Sequence, residues 1–412
     1  MRGRNADAST SNPSLTSHLS PFIAAGVLGT TCSTRCEANA ILPLWMHASY
    51  DFLIVGAGFS GAVIAERLAR VSGKRSLVVD RRAHIAGNAF DRYDDAGVLI
   101  HPYGPHYFRT NSDRVREYLS QFTEWQPVNY KILSYTEGRL WNFPINLNTF
   151  EQFIGRPSTS EEMEQTLAQW RVPIDQPKNS EEVIVSQVGY PLYEKFFKNY
   201  TRKQWRRDAS ELDASVCGRI PIRTNRDDRY LTERFQALPK HGYTALIEQI
   251  LDHKKIEVRL GTEFRAALKQ VKFEHLVYTG PVDEFFDHQF GSLPYRSLRF
   301  EPETLQMEYY QPVVQVNYPN DYEFTRIVET KHITGQKLPV TTIVREYPQD
   351  FGPGKEPYYP IPAADAKAIY QKYADLAGKQ EKVSFVGRLA TYRYYNMDQV
   401  VGMALAEFDR LT

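Results

Sequence analysis

Hydrophobic positions begin to repeat at residue 51. Residues 51–55 form a largely apolar run that ends at Gly56, and residues 59–71 carry helix formers with apolar side chains at Val63, Ile64 and Leu68, so the pattern predicts strand, turn, helix. Residues 76–79 predict a second strand, ending at Asp80. A mostly polar stretch over 151–197 shows helical spacing at 161–170 and 181–188, and 243–252 predicts another helix. Residues 309–317 and 323–329, rich in Val, Tyr and alternating polar residues, predict strands, and 276–279 predicts a strand running into Gly280 and Pro281. Near the C-terminus the opening theme returns. A short apolar strand over 383–386 meets Gly387 and Arg388, and a helix is predicted over 398–408 with apolar residues at Val400, Val401, Ala404 and Leu405.

Residues 1–45 show neither period and are rich in Ser, Thr, Asn and Ala. They predict a disordered extension over 1–48, or a start assigned too early with Met46 as the initiator. Arg2, Arg4, the apolar stretch 22–29 and Ala38-Asn39-Ala40 form a weak secretory pattern, set aside because that stretch is short and far from the cleavage point.

The first strand, turn and helix frame a dinucleotide fingerprint. Gly56 permits the tight turn, Gly58 lets backbone approach a pyrophosphate, and Gly61 lets the helix pack closely on the strand. The helix N-terminus offers free N–H groups and partial positive charge. Asp80 falls 19 residues beyond Gly61, where a carboxylate accepts from adenosine ribose hydroxyls. From this stretch alone NAD stays open, and Arg81 and Arg82 leave room for a 2′-phosphate. The C-terminal strand, Gly387-Arg388 loop and helix make a second anion site, and two such sites at opposite ends of the chain fit one long cofactor, FAD, in a discontinuous domain.

Composition changes this picture mainly by exclusion. With 50 basic and 49 acidic side chains the net charge is +1, which argues against a nucleic-acid polymer or an anionic membrane as partner. No apolar run approaches the roughly 20 residues of a spanning helix. Cys32, Cys36 and Cys217 are too scattered for a disulfide framework or a zinc site, which fits a reducing, cytoplasmic setting. His101 and His106, five apart in a Pro/Gly loop, share no face, so no metal site is expected. The 26 Tyr and 22 Phe suit flat bases and sugars.

Longer motifs follow in order: Arg82-Ala83-His84-Ile85-Ala86-Gly87-Asn88, Tyr103-Gly104-Pro105-His106-Tyr107-Phe108, Phe143-Pro144-Ile145-Asn146-Leu147, the run from Tyr193 through Asn199-Tyr200-Thr201-Arg202-Lys203-Gln204 to Trp205, and Gly387-Arg388-Leu389-Ala390-Thr391-Tyr392-Arg393-Tyr394. From about Tyr50 onward the chain resembles bacterial UDP-galactopyranose mutase. The resemblance implies an α/β fold: a FAD-binding Rossmann-like domain (49–128, 239–292 and 380–412), an inserted helical domain with a substrate lid (148–238), and an antiparallel β-sheet domain (129–147 and 293–379).

It also implies a flavin-dependent isomerase that interconverts UDP-galactopyranose and UDP-galactofuranose through a reduced-flavin N5 sugar adduct, with no net redox. This accounts for the lack of a Ser-His-Asp pattern or a required carboxylate pair. By motif position Arg219 and Arg326 hold the diphosphate, a task suited to planar guanidinium forks, and His106 sits near the isoalloxazine. Arg223, four residues after Arg219, is the competitor. Tyr230, Tyr347 and Tyr394 match hydroxyls aimed at the diphosphate, Phe196 and Tyr200 the pair on uracil, and Trp205 a tryptophan beside the sugar. Cofactor contacts are expected from Gly56, Gly58, Phe59, Ser60, Gly61, Asp80, Arg81, Gly87, Asn88, His106, Tyr107, Arg388, Met397 and Asp398. Arg109 departs from a histidine often found there and Asn396 from an aspartate, so Asn396 receives no role. NADH or NADPH is the implied external reductant, a homodimer the implied assembly, and cell-envelope polysaccharide biosynthesis the implied setting. The arginine-rich segment 206–219 is the expected lid. The alternatives are a FAD-dependent amine or polyene oxidase, which shares the N-terminal fingerprint, and a non-catalytic nucleotide-sugar sensor.

Overall fold

The computed structural model describes residues 49–412. The expected extension or late start, the secretory pattern, Cys32 and Cys36 lie outside the described residues.

Five parallel strands form the first sheet in the order Ile256–Arg259, Ser76–Val79, Ser49–Val55, Lys272–Tyr278, Val383–Phe385. Ser76–Val79 is buried at every position, the pattern of a parallel strand covered on both faces. The central strand Ser49–Val55 has its sequence successor on one side and a strand more than 200 residues later on the other (Phe52 pairs with Ser76 and with His275). This is a topological switch point, and the crevice beyond the C-terminal strand ends is where such sheets bind ligands. Gly56 begins there. Helix Phe59–Arg70 leaves the turn and packs against helices Gly242–Leu251 and Met397–Leu411.

The second sheet has seven strands, ordered Tyr359–Pro360, Tyr295–Leu305, Thr341–Asp350, Arg326–Val328, Gln315–Asn317, Ile132–Thr136, Arg139–Phe143. Its pairs are antiparallel except one: Gln315–Asn317 runs parallel to Ile132–Thr136, because the hairpin 132–143 comes from far earlier in the chain and docks on that edge. The strand expected over 309–317 is confined to its last three residues. Upstream, the backbone N–H groups of Tyr310 and Gln311 bond the buried Glu329 carboxylate at 3.0 Å each instead of a neighbouring strand.

Residues 147–218 supply the helices that sequence spacing predicted in part. Ser160–Trp170 is capped by Thr159 and Ser180–Tyr193 by Asn179, each side chain accepting from a first-turn N–H. The second helix breaks at Gly189 (φ 74°), then runs through the π-turn Glu194–Lys198 into Asn199–Trp205. Among the described residues no helix is long and apolar enough to cross a membrane.

Candidate active site

A cleft opens at the switch point beside the glycine turn. Gly56 has φ 105°, and a Cβ there would sit 2.0 Å from Thr279 Oγ1; at Gly61 a Cβ would sit 2.0 Å from the Gly56 carbonyl oxygen. Both positions therefore require glycine. Gly58, by contrast, would place its Cβ no nearer than 3.7 Å to Gly87 Cα, and among the described residues no side chain caps the helix it starts. The first-turn N–H groups stand open for an anion.

Gly56, Gly58, Phe59, Ser60, Asp80, Arg81, Gly87, Asn88, His106, Arg388 and Met397 all line this cleft. Gly61 acts behind it, setting the helix against the strand. Asp80 accepts the Ala57 N–H on Oδ2 and the Arg82 N–H on Oδ1, both at 2.9 Å, which fixes the carboxylate and leaves lone pairs for ribose hydroxyls. Arg81 faces Glu356 at 3.1 Å and Glu284 at 3.6 Å, and Arg82 pairs with Glu356 at 2.8 Å, so the two arginines share two carboxylates and neither presents an uncompensated charge to a 2′-phosphate. The two glycine turns also meet. Gly387 has φ 94°, and a Cβ on it would lie 2.6 Å from Ser60 Oγ. An acceptor for ribose, an open helix N-terminus and an extension onward past His106 and Arg388 fit FAD.

A second cavity continues from the first through Asn88, His106, Arg388, Tyr395 and Met397. It brings together Tyr107, Arg109, Arg219, Tyr230, Arg326 and Tyr394, with Tyr130, Gln315 and Tyr359 added by the structure. Among the residues lining it there is no carboxylate. His106 donates from Nδ1 to the Gly104 carbonyl at 2.8 Å, and its backbone N–H bonds His101 Nδ1 at 3.0 Å. Burial, with His101 adjacent, pushes the His106 imidazole down to about 3, so it is neutral at neutral pH. Tyr107 turns its hydroxyl away from the cofactor cleft, to the Val128 carbonyl, and lines only this second cavity.

The two diphosphate candidates are held differently. Arg219 caps the short helix Ser215–Gly218 and lies 4.5 Å over the Tyr394 ring. Burial pushes the Tyr394 hydroxyl up, yet Arg219 first, then Arg388 and Arg326, bring it below the usual tyrosine value. Arg326 opens strand Arg326–Val328 and pairs with Glu346 on Thr341–Asp350, the next strand of the sheet. Arg223 bonds the Arg229 carbonyl at 2.6 Å, faces Asp227 and reaches none of the joined cavities.

A third cavity shares Arg219, Tyr230, Arg326, Tyr359 and Tyr394 with the second and is closed by Phe196, Tyr200 and Trp205, the expected base and sugar aromatics. Two of the expected residues lie outside the cavities expected of them. Tyr347 lies outside all three cavities, beneath the Arg299 guanidinium (4.0 Å) and against Phe324. Strand alternation explains this, because Glu346 faces Arg326 and its neighbour must face the other way. Tyr359, which the sequence reading passed over, lines both inner cavities instead. Asp398 also misses the cofactor cleft; it sits in the first turn of Met397–Leu411, its Oδ1 buried without a partner among the described residues.

Segment 206–219 contains two short helical turns, Ala209–Glu211 and Ser215–Gly218. It is tied to helix Ala364–Ala377 by Arg207–Asp365 (2.7 Å) and Asp213–Lys367 (2.5 Å).

Comparison with known proteins agrees with this geometry. A family model described as UDP-galactopyranose mutase matches residues 195–394, and one described as an NAD(P)-binding Rossmann-like domain matches 54–122. A Klebsiella pneumoniae protein named "Probable UDP-galactopyranose mutase" is 39% identical over 87% of this chain and 94% of its own. An Escherichia coli dTDP-fucopyranose mutase is 34% identical over 86% of this chain and 96% of its own. A crystal structure of reduced UDP-galactopyranose mutase superposes with TM-score 0.72 at 16% identity, covering 88% of this chain and 95% of that one. A redesigned putrescine oxidase follows at TM-score 0.57 and 12% identity, with 89% and 99% covered, a likeness of fold alone. The chain belongs to the UDP-galactopyranose mutase family.

Proposed function

We propose that this enzyme interconverts UDP-galactopyranose and UDP-galactofuranose without net oxidation, using FAD in its reduced state. The observation that carries this is the meeting of Arg219 and Arg326 in a cavity that opens into the dinucleotide cleft past His106 and Arg388. Of these two guanidiniums, Arg326 is paired with Glu346, which does not line the cavity, and Arg219 has no carboxylate partner among the described residues, so the pair favours an anionic ligand, and a diphosphate supplies one. An amine or polyene oxidase would instead want an apolar cavity at this place.

Reduced flavin, when bound, supplies a nucleophilic N5 for displacement of the nucleoside diphosphate at the anomeric carbon. The protein's part is electrostatic. Arg219 and Arg326 stabilise the departing diphosphate and hold it for return, and Tyr230, Tyr359 and Tyr394 offer hydroxyls to its oxygens. Phe196 and Tyr200 flank uracil, and Trp205 borders the sugar. The neutral His106 carries its proton on Nδ1, which leaves Nε2 as an acceptor toward the flavin end. NADH or NADPH serves as external reductant, and the working assembly is a cytoplasmic homodimer that supplies galactofuranose for envelope polysaccharide.

The test is anaerobic incubation of dithionite-reduced, FAD-loaded protein with UDP-galactofuranose, with dTDP-fucofuranose in parallel. UDP-galactopyranose should accumulate over many turnovers without further reductant. Turnover of dTDP-fucofuranose alone would move the nucleotide and sugar assignment, and consumption of one reductant per product would remove the isomerase reading.

A further inference from the structure

We propose that Lys203 is a positioning residue for Arg326, its ammonium pinning the hairpin that carries this arginine to the helix Asn199–Trp205. The inference rests on the mutase reading above for its readout, a bound diphosphate. Strands Gln315–Asn317 and Arg326–Val328 pair antiparallel, and their partners nearest the loop are Asn317 and Arg326 themselves. The Tyr318 N–H donates to the Thr325 carbonyl at 2.8 Å, which leaves 319–324 as the connecting loop.

Lys203 fastens both arms of that loop. Its Nζ donates to the backbone carbonyls of Tyr318 at 2.6 Å, Tyr322 at 2.5 Å and Phe324 at 3.2 Å, so all three ammonium N–H groups find an acceptor. Phe324 stands two residues before Arg326. Burial pushes the Lys203 ammonium down to about 8 and Asp321, on the loop, pulls it back, so it is charged at neutral pH. One turn earlier on the same helix, Asn199 Nδ2 donates to Asn320 Oδ1 at 2.9 Å, a second tie to the loop.

The helix gives Tyr200 and Trp205 to the third cavity and the hairpin gives it Asn317 and Arg326, whereas Lys203 does not line it. The lysine therefore joins two elements of the wall and sets their spacing. Glu346 grips the Arg326 guanidinium, but a side chain is placed only as well as the main chain it springs from, and that main chain leaves the loop held by Lys203. A misplacement of this kind weakens a bidentate grip on a diphosphate, whose oxygens must meet the guanidinium fork in register.

The experiment compares the dissociation constants of UDP and of uridine for FAD-loaded parent, Lys203→Met and Lys203→Ala. Methionine keeps an apolar stem without the donors. Both variants should lose about tenfold in affinity for UDP and stay within about twofold of the parent for uridine, which has no phosphate for Arg326 to meet. n-Propylammonium, the fragment that Lys203→Ala deletes, should restore UDP binding to the alanine variant, whereas tetramethylammonium, a cation without N–H donors, should not. Equal losses for UDP and uridine would mean that Lys203 only supports the helix, and undiminished UDP affinity would mean that the loop needs no clamp; either result overturns the proposal, as does equal restoration by the two cations. UDP-galactofuranose turnover by the parent in the same preparation separates the two readings. Turnover with UDP affinity unchanged in the variants removes only the role of Lys203, whereas a parent that binds no UDP removes the mutase reading and this inference with it.

Discussion

Glu346 grips Arg326 through a single oxygen. Oε2 accepts from Arg326 Nε at 2.8 Å and Nη2 at 2.6 Å, while Oε1, equally buried, has no partner among the described residues. Burial pushes the Glu346 carboxyl up, against the pull of Arg326. The arrangement keeps a charged guanidinium buried and oriented before any diphosphate arrives, at the expense of one unsatisfied carboxylate oxygen. Glu346→Gln removes the counter-charge and should destabilise the free protein by on the order of 3 kcal/mol, the scale for breaking a buried pair. An incoming diphosphate then becomes the counter-ion, so UDP should raise the melting temperature of the variant more than that of the parent. Equal UDP-induced shifts in a thermal melt would show that Glu346 is not charge-coupled to the ligand site.

Acid should weaken the fold through two neighbouring histidines. Burial pushes His101 down to about 4 and His106 to about 3, both below the ordinary 6.5. A depressed histidine favours the fold fully above its unfolded value, and that contribution is lost as pH falls from 6.5 towards the folded values. At pH 5 the loss should be on the order of 2 kcal/mol per histidine. Urea melts at pH 7 and pH 5 check this, and His106→Asn should show a smaller drop between the two than the parent.

Much of the cofactor half was legible because its determinants are local. Gly56, Gly58 and Gly61 fall where a strand end and a helix start meet, and the short run 76–79, apolar after Ser76, reads as a strand. The substrate half was less so. The longest antiparallel pair, Tyr295–Leu305 with Thr341–Asp350, shows no clean alternation: its first strand is buried at every position at one end and mostly exposed at the other, where Glu303 pairs with Arg345. Without alternation, the face of Tyr347 could not be read. Tyr359 belongs with Pro360 to a two-residue strand placed by sheet pairing with Arg296, a contact of long sequence separation.

Arg219 should govern the ionisation of Tyr394. With Arg219 removed, burial is no longer opposed by its nearest cation, so the lowered Tyr394 hydroxyl should rise. The lowered value contributes stability that is present above the unfolded value near 10 and is lost as pH falls through the folded one. Tyrosinate absorbance should therefore show an early-titrating component in the parent that is missing in Tyr394→Phe and displaced to higher pH in Arg219→Ala. In the same variant kcat/KM should fall on the order of a thousandfold, the scale for losing a main electrostatic stabiliser. A parent curve superimposable on that of Tyr394→Phe would contradict the lowered hydroxyl.

The glycines of the fingerprint should separate into two experimental classes. At Gly61 an added Cβ meets the Gly56 carbonyl at 2.0 Å, a backbone atom that cannot move without displacing the turn. Gly61→Ala should therefore lower the melting temperature of the cofactor-free protein and weaken FAD binding together. At Gly58 the nearest atom is 3.7 Å away, an ordinary contact, so the backbone accepts alanine, whereas the added methyl stands where the pyrophosphate must approach the helix N-terminus. Gly58→Ala should keep the apo melting temperature within about a degree or two of the parent, since the change is strain-free, and still lose FAD affinity. Fluorescence titration of apoprotein with FAD, beside melts without cofactor, distinguishes the classes. If Gly58→Ala bound FAD as the parent does, the pyrophosphate would have to lie elsewhere than against this turn.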